Sequence, residues 1–272
     1  ADIAAGSVTL TLTATGNAPC VNATSNKTLT IRPVPATTGV TICEGTASAA
    51  LTVQSSCTEN TAVSTSATLP GSGTNQTGIG NTAWTNPGNI LTNNNVNATA
   101  TLSNASAVSN YLRASGFNFG SIPVNANIKG VTVTISRFAS NVIGATRIRD
   151  NEVRLVKAGT IVGNNKSNAG VDWPTAEGSF NYGSTTDLWG TTLTASDVTN
   201  ANFGVALSVL NATGVGNSYT ANVDFIQMTI TYAVPGTLNW YTVSSGGTLI
   251  GSGNSFDPVG VANSGLANTN TA

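Results

Sequence analysis

The chain has 272 residues and a mass of 27.3 kDa, with ten Lys and Arg against eleven Asp and Glu, no histidine and a net charge of −1. Only 8% of its residues are charged, where an ordinary soluble domain carries roughly 25%. A Ser-His-Asp triad, a Cys-His pair and any His-ligated metal are excluded, and so is the basic footprint of a nucleic-acid binder. No apolar run reaches the roughly 18 residues of a membrane-crossing helix, so no membrane-spanning segment is expected. No signal peptide is visible at Ala1, which reads as a mature product or a fragment. Low charge with 40% apolar residues is the reverse of a disorder signature. The wealth of Thr, Asn and Gly reads as an extracellular β protein.

From the N-terminus, residues 7–14 (SVTLTLTA) alternate with Val8, Leu10 and Leu12 on one face, and residues 27–32 (KTLTIR) repeat the pattern with Leu29 and Ile31. A β-hairpin is expected, followed by a Pro-containing hinge, PVPATTG. Residues 39–53 give two further strands around Glu44-Gly45; residues 237–243 and 248–256 give a similar pair joined by SSGG.

The block 62–234 differs. It holds three of the four Trp and most of the charge. Strands are expected at 130–137, with Val131, Val133 and Ile135 inward; at 152–157, with Val153 and Leu155 inward; at 203–210; and at 221–233, with Ile226, Met228, Ile230 and Tyr232 on one face. The runs 98–102 and 117–122 are shorter candidates. A helical turn at 194–200 would be capped by Thr194 or Ser196. Gly-rich GSGTNQTGIG (71–80) lacks the ending and the helix of a phosphate loop and reads as a flexible connection. Many strands with Gly- and Asn-rich turns mean a sandwich or jelly roll, and a block of this size buries enough surface to fold alone.

The pieces carrying Cys43-Glu44-Gly45, Trp240-Tyr241, Gly246-Gly247, Gly251, Gly253 and Phe256 resemble an immunoglobulin-like repeat of giant Bacteroidota surface proteins, and residues 1–33 resemble the end of a related Ig-like or PKD-like repeat. The resemblance implies tandem repeats in an adhesin exported by type IX secretion, of the SprB gliding-motility type. The middle block resembles a jelly-roll module of bacterial and phage extracellular proteins, on residues that include Trp84-x-Asn86-Pro87, Asp150, Trp173, Tyr182-Gly183, Asp187-Leu188-Trp189-Gly190 and Val223-Asp224.

The fold class expected is therefore all-β, with Ig-like sandwich pieces flanking a larger jelly roll. Residues 1–34 would close one repeat, 35–61 and 235–272 would open a split Ig-like domain, and 62–234 would be inserted at an exposed turn. Cys20, Cys43 and Cys57 show no C-x-x-C spacing; an odd count in a secreted chain means a free thiol, an intermolecular bond or partners outside this sequence.

Three sets of side chains carry candidate chemistry. Trp173, Trp189 and Tyr182 offer rings for sugar stacking, with Asp172 and Asp187 to bond hydroxyls. The same two carboxylates are the candidates for glycoside acid–base chemistry. The structural alternative is favoured: Trp anchoring a core, Asp closing turns. Asp150, Asn151 and Glu152 offer oxygens to calcium without a D-x-D-x-D-G pattern, the alternative being a hairpin turn at Asp150-Asn151. No other cofactor is expected. Asn-x-Ser/Thr at Asn22, Asn97 and Asn211 reads as chance in so Asn- and Thr-rich a chain.

The expected function is that of a non-catalytic segment of a secreted adhesin or fibre on the bacterial cell surface. Its partners would be adjacent repeats or like subunits, and surface polysaccharide. The alternatives are a self-assembling extracellular filament subunit and a carbohydrate-binding accessory module of a polysaccharide enzyme.

Overall fold

A computed structural model describes residues 7–14, 23–30, 51–52, 60–141, 147–212, 217–236, 239–241, 247–253 and 255–256. Two compact units make up the chain: Glu59–Pro235, and Ala1–Thr58 together with Gly236–Ala272.

The composite unit contains antiparallel ladders. Strand β1 (Ser7–Ala14) pairs with β2 (Ala23–Thr30) in one unbroken register, Ser7 opposite Thr30 and Ala14 opposite Ala23. The expected N-terminal hairpin is present, with its second strand starting four residues earlier than its apolar alternation. Strand β3 (Leu51–Thr52) belongs to the same unit. The three cysteines lie outside the described residues.

The Glu59–Pro235 unit is an antiparallel β-sandwich. In chain order its strands are β4 (Val63–Ser64), β5 (Ser72–Gln76), β6 (Ala98–Leu102), β7 (Tyr111–Ser115), β8 (Asn127–Ser140), β9 (Ile148–Lys157), β10 (Thr160–Val162), β11 (Gly178–Ser184), β12 (Gly204–Asn211) and β13 (Tyr219–Ala233). One sheet runs β10-β9-β12-β7-β5; the other runs β11-β8-β13, with β6 and β4 paired to opposite ends of β13 along its far edge. Numbered from β6, the eight strands β6 to β13 fall into sheets of order 1-8-3-6 and 2-7-4-5. That is the double Greek key of a jelly roll. The remaining strands of the composite unit, β14 (Asn239–Tyr241), β15 (Leu249–Ser252) and β16 (Ser255–Phe256), pair as β14-β15 and β16-β3.

Alternation explains the sandwich. Val131, Val133 and Ile135 of β8 and Ile226, Met228 and Ile230 of β13 point inward and meet Leu112, Val153, Leu155, Val205 and Leu207 of the other sheet in one continuous core. All are essentially inaccessible to solvent. The side chains of β-branched Val and Ile suit this pleated, half-buried surface. Tyr232, the last residue of that expected stripe, is half-buried and packs against the same core.

Several segments differ from expectation. Residues 71–80 contain β5, a strand and not a flexible connection; its hydrogen bonds to β7 decide this, and they are invisible in a Gly-rich sequence. Residues 117–122 form no strand. Asp150-Asn151 is no hairpin turn, because β9 continues through it, with an irregularity at Asn151 in its pairing with β12. The turn lies at Ala158-Gly159, both at positive φ (49° and 88°) between the paired residues Lys157 and Thr160, as a two-residue hairpin loop requires. The expected helical turn is α1 (Ala195–Val198), capped by Thr194 in a reciprocal box with Asp197.

Candidate functional site

The loop-rich stretch 171–190 folds into the sandwich, not out of it. Trp173 and Trp189 are 1% and 0% exposed and Tyr182 is 5% exposed. Stacking on a sugar needs an open ring face, so none of the three is a sugar platform.

Their polar tips show what holds them. Trp173 Nε1 donates to Asp150 Oδ1 at 2.8 Å, and Tyr182 Oη donates to Asp150 Oδ2 at 2.9 Å. The backbone N–H of Asn168 donates to the same Oδ2 at 2.9 Å, and Arg137 Nη1 donates to Oδ1. The Arg137 guanidinium lies 4.4 Å from the ring centre of Phe180, 4.7 Å from Trp173 and 5.5 Å from Tyr182, a cation–π box. Burial, then the Asp150 charge, push the Tyr182 phenol far above its ordinary range, against the pull of Arg137. Trp189 sits in left-handed backbone (φ 59°) and donates from Nε1 to the Val131 carbonyl at 2.9 Å.

The carboxylates are also committed. Asp172 pairs with Arg149 at 2.5 Å and with Arg147 at 4.0 Å. Asp187 pairs with Lys166 at 2.7 Å and accepts the Trp189 N–H at 2.7 Å, closing a turn. Partial burial pushes the Asp187 carboxyl up, but the Lys166 bond and charge and the Trp189 N–H outweigh it and hold the group below its usual range. A glycosidic acid needs the opposite shift.

The expected calcium ligands are likewise taken. Both Asp150 oxygens are filled as described. Asn151 Nδ2 donates to Ser208 Oγ at 3.3 Å, and Glu152 receives Tyr111 Oη at 2.5 Å and Arg154 Nε at 2.9 Å. Along β9 these residues serve the ladder and its two faces, so their oxygens do not converge on one point. Among the described residues no three carboxylate or Cys groups gather as a metal centre.

What remains open is the outer face of the β11-β8-β13 sheet. Residues that alternate with the core there are Thr132 and Thr134 on β8, Ser179 and Asn181 on β11, and Gln227 and Thr229 on β13. Two cross-strand rows follow from the register: Asn181, Thr134, Gln227 and Gly183, Thr132, Thr229. Ser179 and Asn181 are exposed and the others half-buried. Thr134 Oγ1 donates to Asn181 Oδ1 at 2.7 Å. Gly183 has no side chain; every other side chain in these rows is uncharged and both donates and accepts. Their signal in the sequence is the polar half of the period-2 pattern, which composition alone does not distinguish from an inert wet face.

No protein-family model matches the sequence, and no curated protein matches it. A solved structure described as "CBM4 structure and function" is similar over 55% of this chain and 89% of its own, at 10% identity and a TM-score of 0.31. Among the described residues no helix is long and apolar enough to cross a membrane.

Proposed function

We propose that the chain is a non-catalytic segment of a secreted modular adhesin or fibre of the bacterial surface, in which the jelly roll contacts a neutral polysaccharide through the outer face of the β11-β8-β13 sheet. The observation that carries this reading is the pair of uncharged rows, Asn181, Thr134, Gln227 and Gly183, Thr132, Thr229. Hydroxyls of a neutral glycan need partners that both donate and accept, and Asn, Gln and Thr supply both. The rows stand on paired strands, so little freedom is lost on binding. No aromatic ring lies in them, so each contact is weak, and a fibre would gain strength from many copies held together.

The test is binding of the whole chain to a panel of neutral and acidic glycans. Saturable binding to a neutral glycan is expected, lost in the double variant Asn181→Ala, Gln227→Ala with unchanged melting temperature. A filament subunit is the second reading, supported by β11, a seven-residue edge strand paired on one side to β8, because an unpaired edge is a template for another chain. Growth of mass with concentration in light scattering, without glycan binding, would favour it. Absence of both glycan binding and concentration-dependent mass would overturn both readings.

A further inference from the structure

The jelly roll has a second polar feature, at the irregular part of β13. The register of β13 against β8 jumps from Val223 opposite Arg137 to Ile226 opposite Ile135. Two residues, Asp224 and Phe225, therefore face Ser136 alone. Such a bulge re-aims a side chain and interrupts the ladder.

Asp224 is 0% exposed. Its Oδ1 accepts the Asn94 N–H at 3.3 Å, while its Oδ2 is buried without a hydrogen-bond partner. A second buried oxygen without a partner is Asn97 Oδ1. The two residues flank the end of one ladder: β6 and β13 run antiparallel and pair Thr99 with Asn222 and Ala98 with Val223, with Asn97 one residue before Ala98 and Asp224 one residue after Val223. A third oxygen donor stands close by. Glu177 receives the hydroxyl of Ser136, the residue opposite the bulge, and its negative charge acts on Asp224. No Lys or Arg pairs with Asp224 or Glu177 among the described residues.

Buried oxygens are ordinarily satisfied, and an exception calls for a specific cause. Here two occupy neighbouring ladder positions near a second carboxylate, and the N–H groups of Asn94, Asn95 and Val96 that act on the Asp224 carboxylate leave its Oδ2 unfilled. An anion would be repelled; a hard cation is the complement. We propose that the β13 bulge is a calcium site, with Asp224 Oδ2 and Asn97 Oδ1 as protein ligands and Glu177 as the second carboxylate. Calcium fits better than magnesium because it accepts amide and carboxylate oxygens in irregular geometry, whereas magnesium demands a regular octahedron. Two carboxylates and one amide make a low-charge site, which places its affinity in the range of extracellular modules, roughly 10⁻⁴ to 10⁻³ M. The bulge faces Ser136, one cross-strand row from Thr134 on the same sheet, but its ligands are not the row residues and it does not depend on the glycan reading.

The test uses the full chain at neutral pH. Calorimetric titration with calcium chloride is expected to show one ion per chain, and the melting temperature to be higher in calcium than in chelator, with magnesium a poor substitute. Asp224→Asn should weaken calcium at least about tenfold while the circular dichroism spectrum is kept, the change expected for removing one ligand charge. Asn97→Asp adds a charge and should tighten calcium, yet lower the melting temperature in chelator, where two carboxylates would face each other. The proposal is overturned if the wild-type chain melts at the same temperature in calcium and chelator and gives no saturable heat. It is equally overturned if Asn97→Asp binds calcium no more tightly, which would indicate that the Asn97 amide serves as a donor to Asp224.

Discussion

Arg137 and Asp150 form an ion pair that joins the two sheets from the inside. Arg137 stands on β8 and Asp150 on β9, with side chains 3% and 0% exposed. Taking both charges out of water is costly, and the geometry offsets that cost with three neutral donors on Asp150 and three ring faces on Arg137. Arg137 Nε is buried without a hydrogen-bond partner, so the rings and Asp150 supply the guanidinium's described contacts.

Removing one partner leaves the other buried and bare. Asp150→Ala should therefore destabilise the jelly roll by about 3–5 kcal/mol, read as a lower midpoint in urea. The double variant Arg137→Met, Asp150→Leu should lose less than either single change, because no charge is stranded. A double loss equal to the sum of the singles would contradict this account.

Trp189 depends on its glycine neighbours. Gly183 has a φ of 71°, and a Cβ built there meets Trp189 Nε1 at 2.5 Å and the Val131 carbonyl more closely still. Gly183→Ala should cost about 1–2 kcal/mol for the left-handed backbone, with overpacking of about 1–3 kcal/mol added. Trp189→Ala should cost about 3–5 kcal/mol through the cavity. Both are checked by denaturant unfolding. Glycan binding per folded molecule should be unchanged in Trp189→Ala, since Trp189 is buried.

The acidic limb of stability has contributions of opposite sign. Partial burial pushes the Asp197 carboxyl up, but the hydrogen bond from Lys157, the two from Thr194 and the Lys157 charge outweigh it and leave the carboxyl lowered. Asp187 is lowered likewise. Each is bound more weakly by protons when folded, so its contribution is present above the ordinary Asp range and lost as pH falls through the lowered folded value. Asp224 is the reverse: burial raises it, Glu177 adds to this, and the N–H groups of Asn94 to Val96 only partly oppose. Its protonated form is favoured in the fold, so that contribution is present at low pH and lost as pH rises through the raised value. In chelator, Asp187→Asn should flatten the fall of melting temperature below about pH 4, the ordinary Asp range, and Asp224→Asn should remove the fall that occurs above it.

The cap of α1 is a local device. Thr194 Oγ1 accepts the Asp197 N–H at 3.2 Å, and Asp197 Oδ2 accepts the Thr194 N–H at 2.9 Å. Thr194→Ala should cost about 1 kcal/mol, seen in urea unfolding, whereas Thr194→Ser should be close to neutral.

The sequence by itself determined what depends on neighbours along the chain. The inward stripes Val131, Val133, Ile135 and Val153, Leu155 follow from period-2 alternation, the cap at Thr194 from residue type and spacing, and the all-β class from composition. Tertiary structure alone decided the rest. Strand β5 is made of Ser, Gly, Thr, Asn and Gln, and only pairing with β7 makes it a strand. Whether Trp173 and Trp189 stack on a sugar or pack a core turns on which side of a loop meets the sheet, and no local pattern encodes that. Arg137 and Asp224 fall within the expected strands 130–137 and 221–233, but the pairing of Arg137 with Asp150 and the bulge at Asp224 depend on strands distant in sequence. Burial and charge pairing are properties of distant segments brought together, so they appear only when the two sheets close.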